Sequence, residues 1–429
     1  MTNQTTELNP GELYATIATE LFGQRTPSAG SRIGLELELL PIGRGVDGSS
    51  CRVGLDAPDG GIRAWLEDVA AREGWSIGRT GRTDIVIATT GGGAITLEPA
   101  AQIEYSGPPM AGCEEALADL DQIVGILERS GSGRGIELVA AGYNSRLPES
   151  EHTLEIGKPR YRAMDRYFET LGRYGRRMMR STCALQINLD FGTPADAPGR
   201  WRLANMIAPS LNAIFANSPM TIDGRRFRSY RSEIWRRADP SRTGRLYDRP
   251  DLDPVDDYLR FALDAGVMLT RDASGSVAPP AEPLTFRQWI AGVPGMRRPD
   301  GEDWRLHLGT LFPDVRARGY LEIRSIDALP KGVRDVAVAM VTALIYTREL
   351  RLEAVERLEC RQRESEPGEV EHGGCWQGDY RTGRELLALA LPAIESPRLR
   401  ELASRYLASV LDRGLTPGEI SEWTRIFAD

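Results

Sequence analysis

The sequence predicts an α+β protein, on three observations. Short runs alternate polar and aliphatic residues, as in "RIGLELELLPIG" (32–43) and "CALQINLDF" (183–191), and read as half-buried strands. Longer segments with apolar residues at helical spacing, such as "CEEALADLDQIVGILERS" (113–130), lie between them. The two kinds of element follow one another without a regular βαβ repeat, which argues against a doubly wound parallel sheet.

In chain order, residues 10–22 read as a helix and 32–40 as the first strand. Residues 61–73 are helical, and "TDIVIATTGGGAITLEP" is two strands turning at Gly91, Gly92 and Gly93. In the 113–130 helix, Leu117, Leu120, Val124 and Leu127 share one face. "IELVAAGYN" is a strand, "YRAMDRYFETLGRYGRRMMRS" one helix and 201–216 another. The polar, Arg-rich stretch from Ser218 to Pro254 reads as a long functional loop. "RGYLEIRSID" is a late strand and 332–358 one long helix. The polar patch "CRQRESEPGEVEHGGCWQGD" then precedes a helical tail, giving a catalytic unit over 1–360 and a helical extension over 361–429.

Composition narrows the function. The 429 residues carry a net charge of −8, which excludes a general nucleic-acid binder. The N-terminus lacks the basic-then-apolar pattern of a signal peptide, and no uncharged apolar run is long enough to span a bilayer. The five cysteines are scattered without zinc-like spacing, so the chain reads as a reduced, cytoplasmic protein with no membrane partner, monomeric or homodimeric. With Lys158 and Lys331 the only lysines, an anion site must rely on arginine, backbone N–H groups or metal.

Four candidate strands repeat one pattern. Glu36 and Glu38 oppose Leu35, Leu37 and Leu39, while Gln186, Asn188 and Asp190 oppose Leu185, Ile187 and Leu189. Arg316, Arg318, Tyr320, Glu322 and Arg324 share one parity, as do Glu98, Gln102 and Glu104, unless Pro99 breaks the register. A single strand of this kind is usually half-solvated sheet. Here none of the residues named on these faces is Lys, Ser or Thr, and their types are hard-cation ligands and anion partners. Crowded carboxylates repel unless cations neutralise them. The reading is therefore Mg²⁺, roughly two or three ions, held by Glu36, Glu38, Glu98, Glu104 and Glu322 with Gln186 and Asn188 as neutral ligands. Arg316, Arg318 and Arg324 would clamp phosphoryl oxygens. That combination describes phosphoryl transfer, and since no GxxxxGK[ST] loop occurs and "TTGGGA" reads as a turn, a nucleotide would be held by metal and arginine inside the sheet.

The motifs "GLELE", "ITLEPAAQIEYSG", "MMRSTCALQINLDF", "FANSP", "RSYRSEIWRRADPSRTG", "DWRLHLGTLFPDVRARGYLEIRSID" and "TPGEISEW" resemble the type-2 glutamate–cysteine ligases of plants and proteobacteria, and related actinobacterial enzymes of the ergothioneine pathway. The resemblance runs from about residue 30 to the C-terminus. It implies a glutamine-synthetase-like fold, a cupped antiparallel sheet lined by metal-binding carboxylates and flanked by helices. It implies that ATP phosphorylates the γ-carboxylate of L-glutamate, and that the amine of L-cysteine displaces the phosphate to give γ-glutamylcysteine in a glutathione or ergothioneine pathway. By matching motifs it implies Mg²⁺ at the carboxylates named above, Arg324 on the transferring phosphate, Arg231 on glutamate or its phosphorylated form, and Lys158, Arg160 and Arg162 at the nucleotide. Gln102 falls in the substrate-binding set.

The resemblance also shows departures. The R-x-E-x-R pattern of glutamine synthetases is displaced here, since Arg318 stands four residues before Glu322 rather than two. Residues 268–300 contain no cysteine, so the redox switch of plant members is absent. The acceptor pocket is placed in the 218–254 segment. His307 matches a family histidine but reads as structural, and Cys183 as a buried small residue rather than a nucleophile. Alternatives are a γ-glutamyl ligase with another amine acceptor, a catalytically silent nucleotide- or amino-acid-binding regulator, and a two-metal phosphoesterase, for which the chain is poor in histidine.

Overall fold

The computed structural model describes residues 8–23, 31–57, 60–78, 85–244, 246, 253–364 and 376–420. Its strands are β1 (Ile33–Arg44), β2 (Ser50–Arg52), β3 (Ser76–Gly78), β4 (Val86–Ala88), β5 (Ala94–Leu97), β6 (Ile103–Ser106), β7 (Ile136–Val139) and β8 (Ala184–Leu189). After them come β9 (Met220–Ile222), β10 (Arg225–Phe227), β11 (Thr270–Arg271), β12 (Val277–Ala278), β13 (Val315–Ala317) and β14 (Leu321–Asp327). Ten of these form one sheet in the order β13-β14-β8-β1-β6-β5-β4-β3, with β2 and β7 joined to the far half of β1. Every pairing is antiparallel. The α+β expectation holds.

Alternation makes β1 the spine. Its N-terminal half pairs with β8 on one side and β6 on the other. Leu35, Leu37, Leu185, Ile187 and Ile323 point to a single face and are almost wholly buried. Helices Cys113–Ser132, Ala197–Ile214 and Val333–Tyr346 pack on the sheet and supply residues to the same core. Helices Trp376–Ala390 and Pro397–Ser409 pack in turn on Ala197–Ile214 and Val333–Tyr346, adding Leu386, Leu387 and Tyr406 to that core. A second, smaller apolar cluster unites Met164, Phe168, Met178, Met179, Tyr230 and Ile234. It comes from helices Pro159–Leu171, Arg173–Ser181 and Tyr230–Ala238.

Several expected elements divide. The helix expected over 161–181 breaks at Gly172, whose φ of 106° no L side chain adopts readily. The long helix expected over 332–358 is two, Val333–Tyr346 and Arg348–Glu364, parted where Thr347 turns extended. The expected 218–254 loop is corrected: it holds the β9–β10 hairpin and helices Tyr230–Ala238 and Pro240–Thr243. Its arginines masked Tyr230, Ile234 and Ala238, which recur every four residues and are buried. Arg245 and residues 247–252 lie outside the described residues, as does 365–375 of the polar patch.

His307 is structural, as read. It is buried beside Phe286 and Trp304, with Nε2 hydrogen-bonded to the Ala262 carbonyl at 2.7 Å. Burial, then the charge of Arg242, pushes its pKa down to about 3. Cys183 is fully buried on the aliphatic side of the sheet.

Two stability outcomes follow. Ile187→Ala, at a fully buried position, should cost about 3 kcal/mol in chemical denaturation; a loss under about 1 kcal/mol would mean that the aliphatic face is not close-packed. A histidine whose folded pKa is depressed contributes stability above its unfolded pKa and loses it as pH falls toward the folded value. Acidification from near 6.5 toward 3 should therefore destabilise wild type more than His307→Gln. The difference between the two chains is what to measure, and parallel stability–pH curves would refute the assignment.

Candidate active site

The register of the sheet gathers the polar parity of six strands. Glu36 pairs with Ser106 on β6 and Gln186 on β8, and Glu38 pairs with Glu104. Thr96 on β5 pairs with Glu104, Asn188 pairs with Glu322 on β14, and Arg316 on β13 pairs with Glu322. These side chains alternate with the buried aliphatics, so they share the opposite face. Two segments expected as single strands are in fact hairpins. Residues 95–107 reverse through Pro99 and Ala101, the latter at φ 65°, and 316–324 reverse at Gly319, φ 77°. Both turns conserve parity, which is why the expected grouping survives.

Over this face lies a cavity of about 540 Å³. Glu36, Glu38, Glu98, Glu104 and Gln186 line it, as do Lys158, Arg160, Arg316, Arg318 and Arg324. Its apolar lining includes Tyr161, Met164, Met178, Met179, Trp235 and Phe312. Most predicted residues thus converge. Five do not line the cavity: Gln102, Asn188, Glu322, Arg231 and Arg162. Gln102 is instead a clamp, its Nε2 donating to the carbonyls of Met179 and Thr182 while its Oε1 accepts from Ala100 N–H. Asn188 Nδ2 donates to Glu36 at 2.7 Å, and its Oδ1 is buried with no hydrogen-bond partner. Arg162 is exposed.

The acidic groups fall into two electrostatic classes. Burial, then Glu104 and Glu322, raises Glu36 to about 7. Burial, then Glu38, raises Glu104 to about 7, despite bonds from Thr96 at 3.1 Å and Ser106 at 3.3 Å. Glu98 is pushed well above the carboxylate range by burial, Glu104 and Glu38. Burial also raises Glu38, with Arg231 and Arg324 opposing, while Ala184 N–H at 2.8 Å and Gln186 Nε2 at 3.2 Å hold its oxygens. Glu322 is opposite in kind. Burial disfavours its charge, yet Arg316 and Arg324 outweigh it and hold the carboxyl down at about 2. Arg316 grips both its oxygens, at 2.6 and 3.0 Å, while Arg324 approaches at 3.2 Å and Arg318 at 3.4 Å. Arg318, the displaced first arginine of the motif, makes the longest of these contacts, and Arg316 is the cross-strand partner of Glu322.

β14 carries a bulge between Ile323 and Ile326. Arg324, inside it, turns into the cavity and donates to Gln186 Oε1. Arg231, buried on helix Tyr230–Ala238, donates to the carbonyls of Arg324 at 2.8 Å and Ser325 at 3.4 Å. Asp327 ends the strand, accepting from Asn217 N–H and the hydroxyls of Ser218 and Ser229. The sequence held a signal for this: Ile323 and Ile326 are three apart, a spacing no regular strand can bury on one face. Also missed were Glu20, Leu21 and Arg305, which line the cavity from outside the alternating strands, and the Met178–Met179 pair, read only as helix.

The donor set fits a hard cation. Its oxygens are carboxylate and amide, burial and then neighbouring carboxylates raise Glu36 and Glu104 to about 7, and Asn188 Oδ1 lacks a partner. Among the described residues no three acidic, histidine or cysteine side chains close tightly enough to hold an ion by themselves. Mg²⁺ needs no closed cage of protein ligands, since it keeps several waters and completes its shell from one or two carboxylates plus phosphate oxygens.

Comparison with known proteins agrees with this geometry. The model of glutamate–cysteine ligase family 2 matches residues 32–387. A glutamate–cysteine ligase EgtA of Mycolicibacterium smegmatis is 36% identical over 267 residues, covering 59% of this chain and 60% of that protein. A chloroplastic glutamate–cysteine ligase of Medicago truncatula is 31% identical over 383 residues, covering 83% and 72%. The crystal structure of a glutamate–cysteine ligase of Francisella tularensis in complex with AMP superposes with a TM-score of 0.50 at 14% identity, covering 93% of this chain and 85% of that one, a likeness of fold. With the family model matching most of its length and the matched strands building one acidic and basic cavity, the chain belongs to glutamate–cysteine ligase family 2.

Proposed function

We propose that this protein is an ATP-dependent ligase that joins the γ-carboxylate of L-glutamate to the amine of L-cysteine through γ-glutamyl phosphate, releasing ADP and phosphate. The observation that carries the reading is the single cavity in which four glutamates meet a cluster of arginines across one sheet. Residues 1–360 are read as the catalytic unit and 361–429 as its helical extension.

In this reading Glu36, Glu38, Glu98 and Glu104, with Gln186 and Asn188 beside them, hold Mg²⁺. When bound, Mg²⁺ supplies the countercharge these carboxylates lack and neutralises phosphate oxygens. Arg316, Arg318 and Arg324 face the transferring phosphoryl group, whose charge is spread over its equatorial oxygens. Glu322 fixes the planes of Arg316 and Arg324, so donors are in place before substrate arrives. It acts through these arginines as well as through the metal role first assigned to it. Lys158 and Arg160 face the nucleotide. Arg231 acts on glutamate through Arg324, whose backbone it holds. The apolar lining of Met178, Met179, Trp235 and Phe312 keeps water from the acyl phosphate until the amine arrives.

ADP release measured with Mg²⁺, ATP and L-glutamate across a panel of amines, with product mass read in parallel, tests the reading. Turnover with L-cysteine to γ-glutamylcysteine is expected. Turnover only with another amine would reassign the acceptor, and nucleotide binding without turnover would favour a regulator. Glu36→Gln should lower kcat by at least about a hundredfold while thermal unfolding stays cooperative; near-normal turnover would refute the metal assignment.

A further inference from the structure

The cavity has a wall that the family match does not contain. The match begins at residue 32, yet Glu20 and Leu21 line the cavity from the segment before it. That segment is helix Pro10–Thr16 running into a π-helical turn, Ile17–Leu21. It is held at three points. Phe22 packs against Phe191, Trp201 and Tyr258, with ring centroids 5.0 to 6.0 Å apart. The Leu21 carbonyl accepts from Gly319 N–H at 2.6 Å, at the turn that carries Arg318. Glu20 takes Arg305 bidentately, Nε at 2.9 and 3.1 Å and Nη2 at 2.7 Å.

Arg305 lines the same cavity from helix Gly301–Leu308. Arg160 donates to the carbonyl of Gly309, just past that helix, so Lys158 and Arg160 are tied to the same end of the site. On the other flank, Glu20 and Leu21 tie Arg305 to the Arg316–Arg318 turn. Arg305 thus stands between the two basic groups assigned to nucleotide. Its side chain is about half exposed, 55%, and Nη1 makes only a 3.5 Å contact with the Gly301 carbonyl. A fork held on one edge by a carboxylate and open on the other presents donors to a phosphate oxygen in a fixed plane. Among the described residues, Glu20 is the one carboxylate lining the cavity that comes from outside the sheet and its hairpin turns.

We propose that Arg305 is a further phosphate-binding residue of the nucleotide site, and that Glu20, from the N-terminal helix, is its positioning residue. This rests on the ligase reading for the identity of the nucleotide. The pair is solvent-exposed, so neither substitution threatens the fold.

The test is a steady-state comparison on the full chain. Arg305→Ala should raise the KM for ATP roughly tenfold, the loss of one charge-assisted hydrogen bond, and leave the KM for glutamate within about twofold. Glu20→Gln should raise the ATP KM roughly threefold, and the double variant should be no worse than Arg305→Ala, because Glu20 acts through Arg305. Arg305→Lys, which keeps charge but loses the fork, should fall between wild type and alanine. An unchanged ATP KM in Arg305→Ala, factors that multiply in the double variant, or an equal rise in the glutamate KM overturns the proposal. Calorimetric titration of ADP with Mg²⁺ separates it from the ligase reading. Weaker ADP binding by Arg305→Ala upholds Arg305 even if no acceptor turns over, and equal binding by the two chains overturns it. Wild type that binds ADP but forms no product sinks the ligase reading alone, and wild type that binds no ADP sinks both.

Discussion

The rest of the site depends on one constraint: four carboxylates are held on one sheet face against their own repulsion. Glu36, Glu38, Glu98 and Glu104 have raised pKa values, with burial the largest cause and neighbouring carboxylates adding to it for each. Such an arrangement is destabilising by itself. It persists because the backbone cannot move these residues apart without unpacking Leu35, Leu37, Leu185 and Ile187 on the reverse face. A one-residue slip would turn the glutamates into the aliphatic core and the leucines into the cavity, so register and electrostatics are one decision. The stability of the aliphatic face offsets the repulsion on the acidic one.

The same face shows what a different neighbourhood does to the same residue type. Glu322 lies two strands from Glu36 in the same sheet, yet its carboxyl sits at about 2 while that of Glu36 sits at about 7. Three guanidiniums bond Glu322, whereas the bond to Glu36 comes from the neutral amide of Asn188. The sheet therefore separates a region short of positive charge from one rich in it within a single cavity. A phosphate chain and its counterions carry the complementary pair of charges, so a ligand that brings both satisfies both regions at once. The preference for arginine has a geometric consequence here, since a bidentate grip of Glu322 by Arg316 fixes an angle that a lysine ammonium would leave free.

Much of this was legible in the sequence because alternation is a local property. "GLELELL", "ALQINL" and "YLEIRS" declare their faces without knowledge of their partners, and hairpin turns preserve parity, so even segments misread as single strands grouped correctly. What was not legible depended on packing between distant segments. Gln102 has the right parity, but its side chain bonds the backbone ahead of β8. The helices of 230–243 were hidden by arginines whose partners are remote in sequence, such as Thr310 and Gly266 for Arg242. Glu20 and Arg305 lie 285 residues apart, and nothing local in either segment marks them as a pair.

The bulge in β14 joins these two levels. A bulge frees backbone groups from the ladder, and buried groups so freed need partners. Arg231 meets that need at Arg324 and Ser325, and Asn212 Nδ2 also donates to the Ser325 carbonyl at 3.2 Å. The guanidinium of Arg231 in turn lies over the Trp235 ring at 5.2 Å, and that of Arg324 lies near the same ring at 5.7 Å. One helix thereby sets the backbone of Arg324 from below and its side chain from beside. Arg231, expected on glutamate or its phosphorylated form, shapes the strand that presents Arg324, and its motif "RSEIW" places arginine and tryptophan one helical turn apart. The carbonyls in the bulge are met by side chains from outside the sheet, and the orientation of Arg324 is what that arrangement secures.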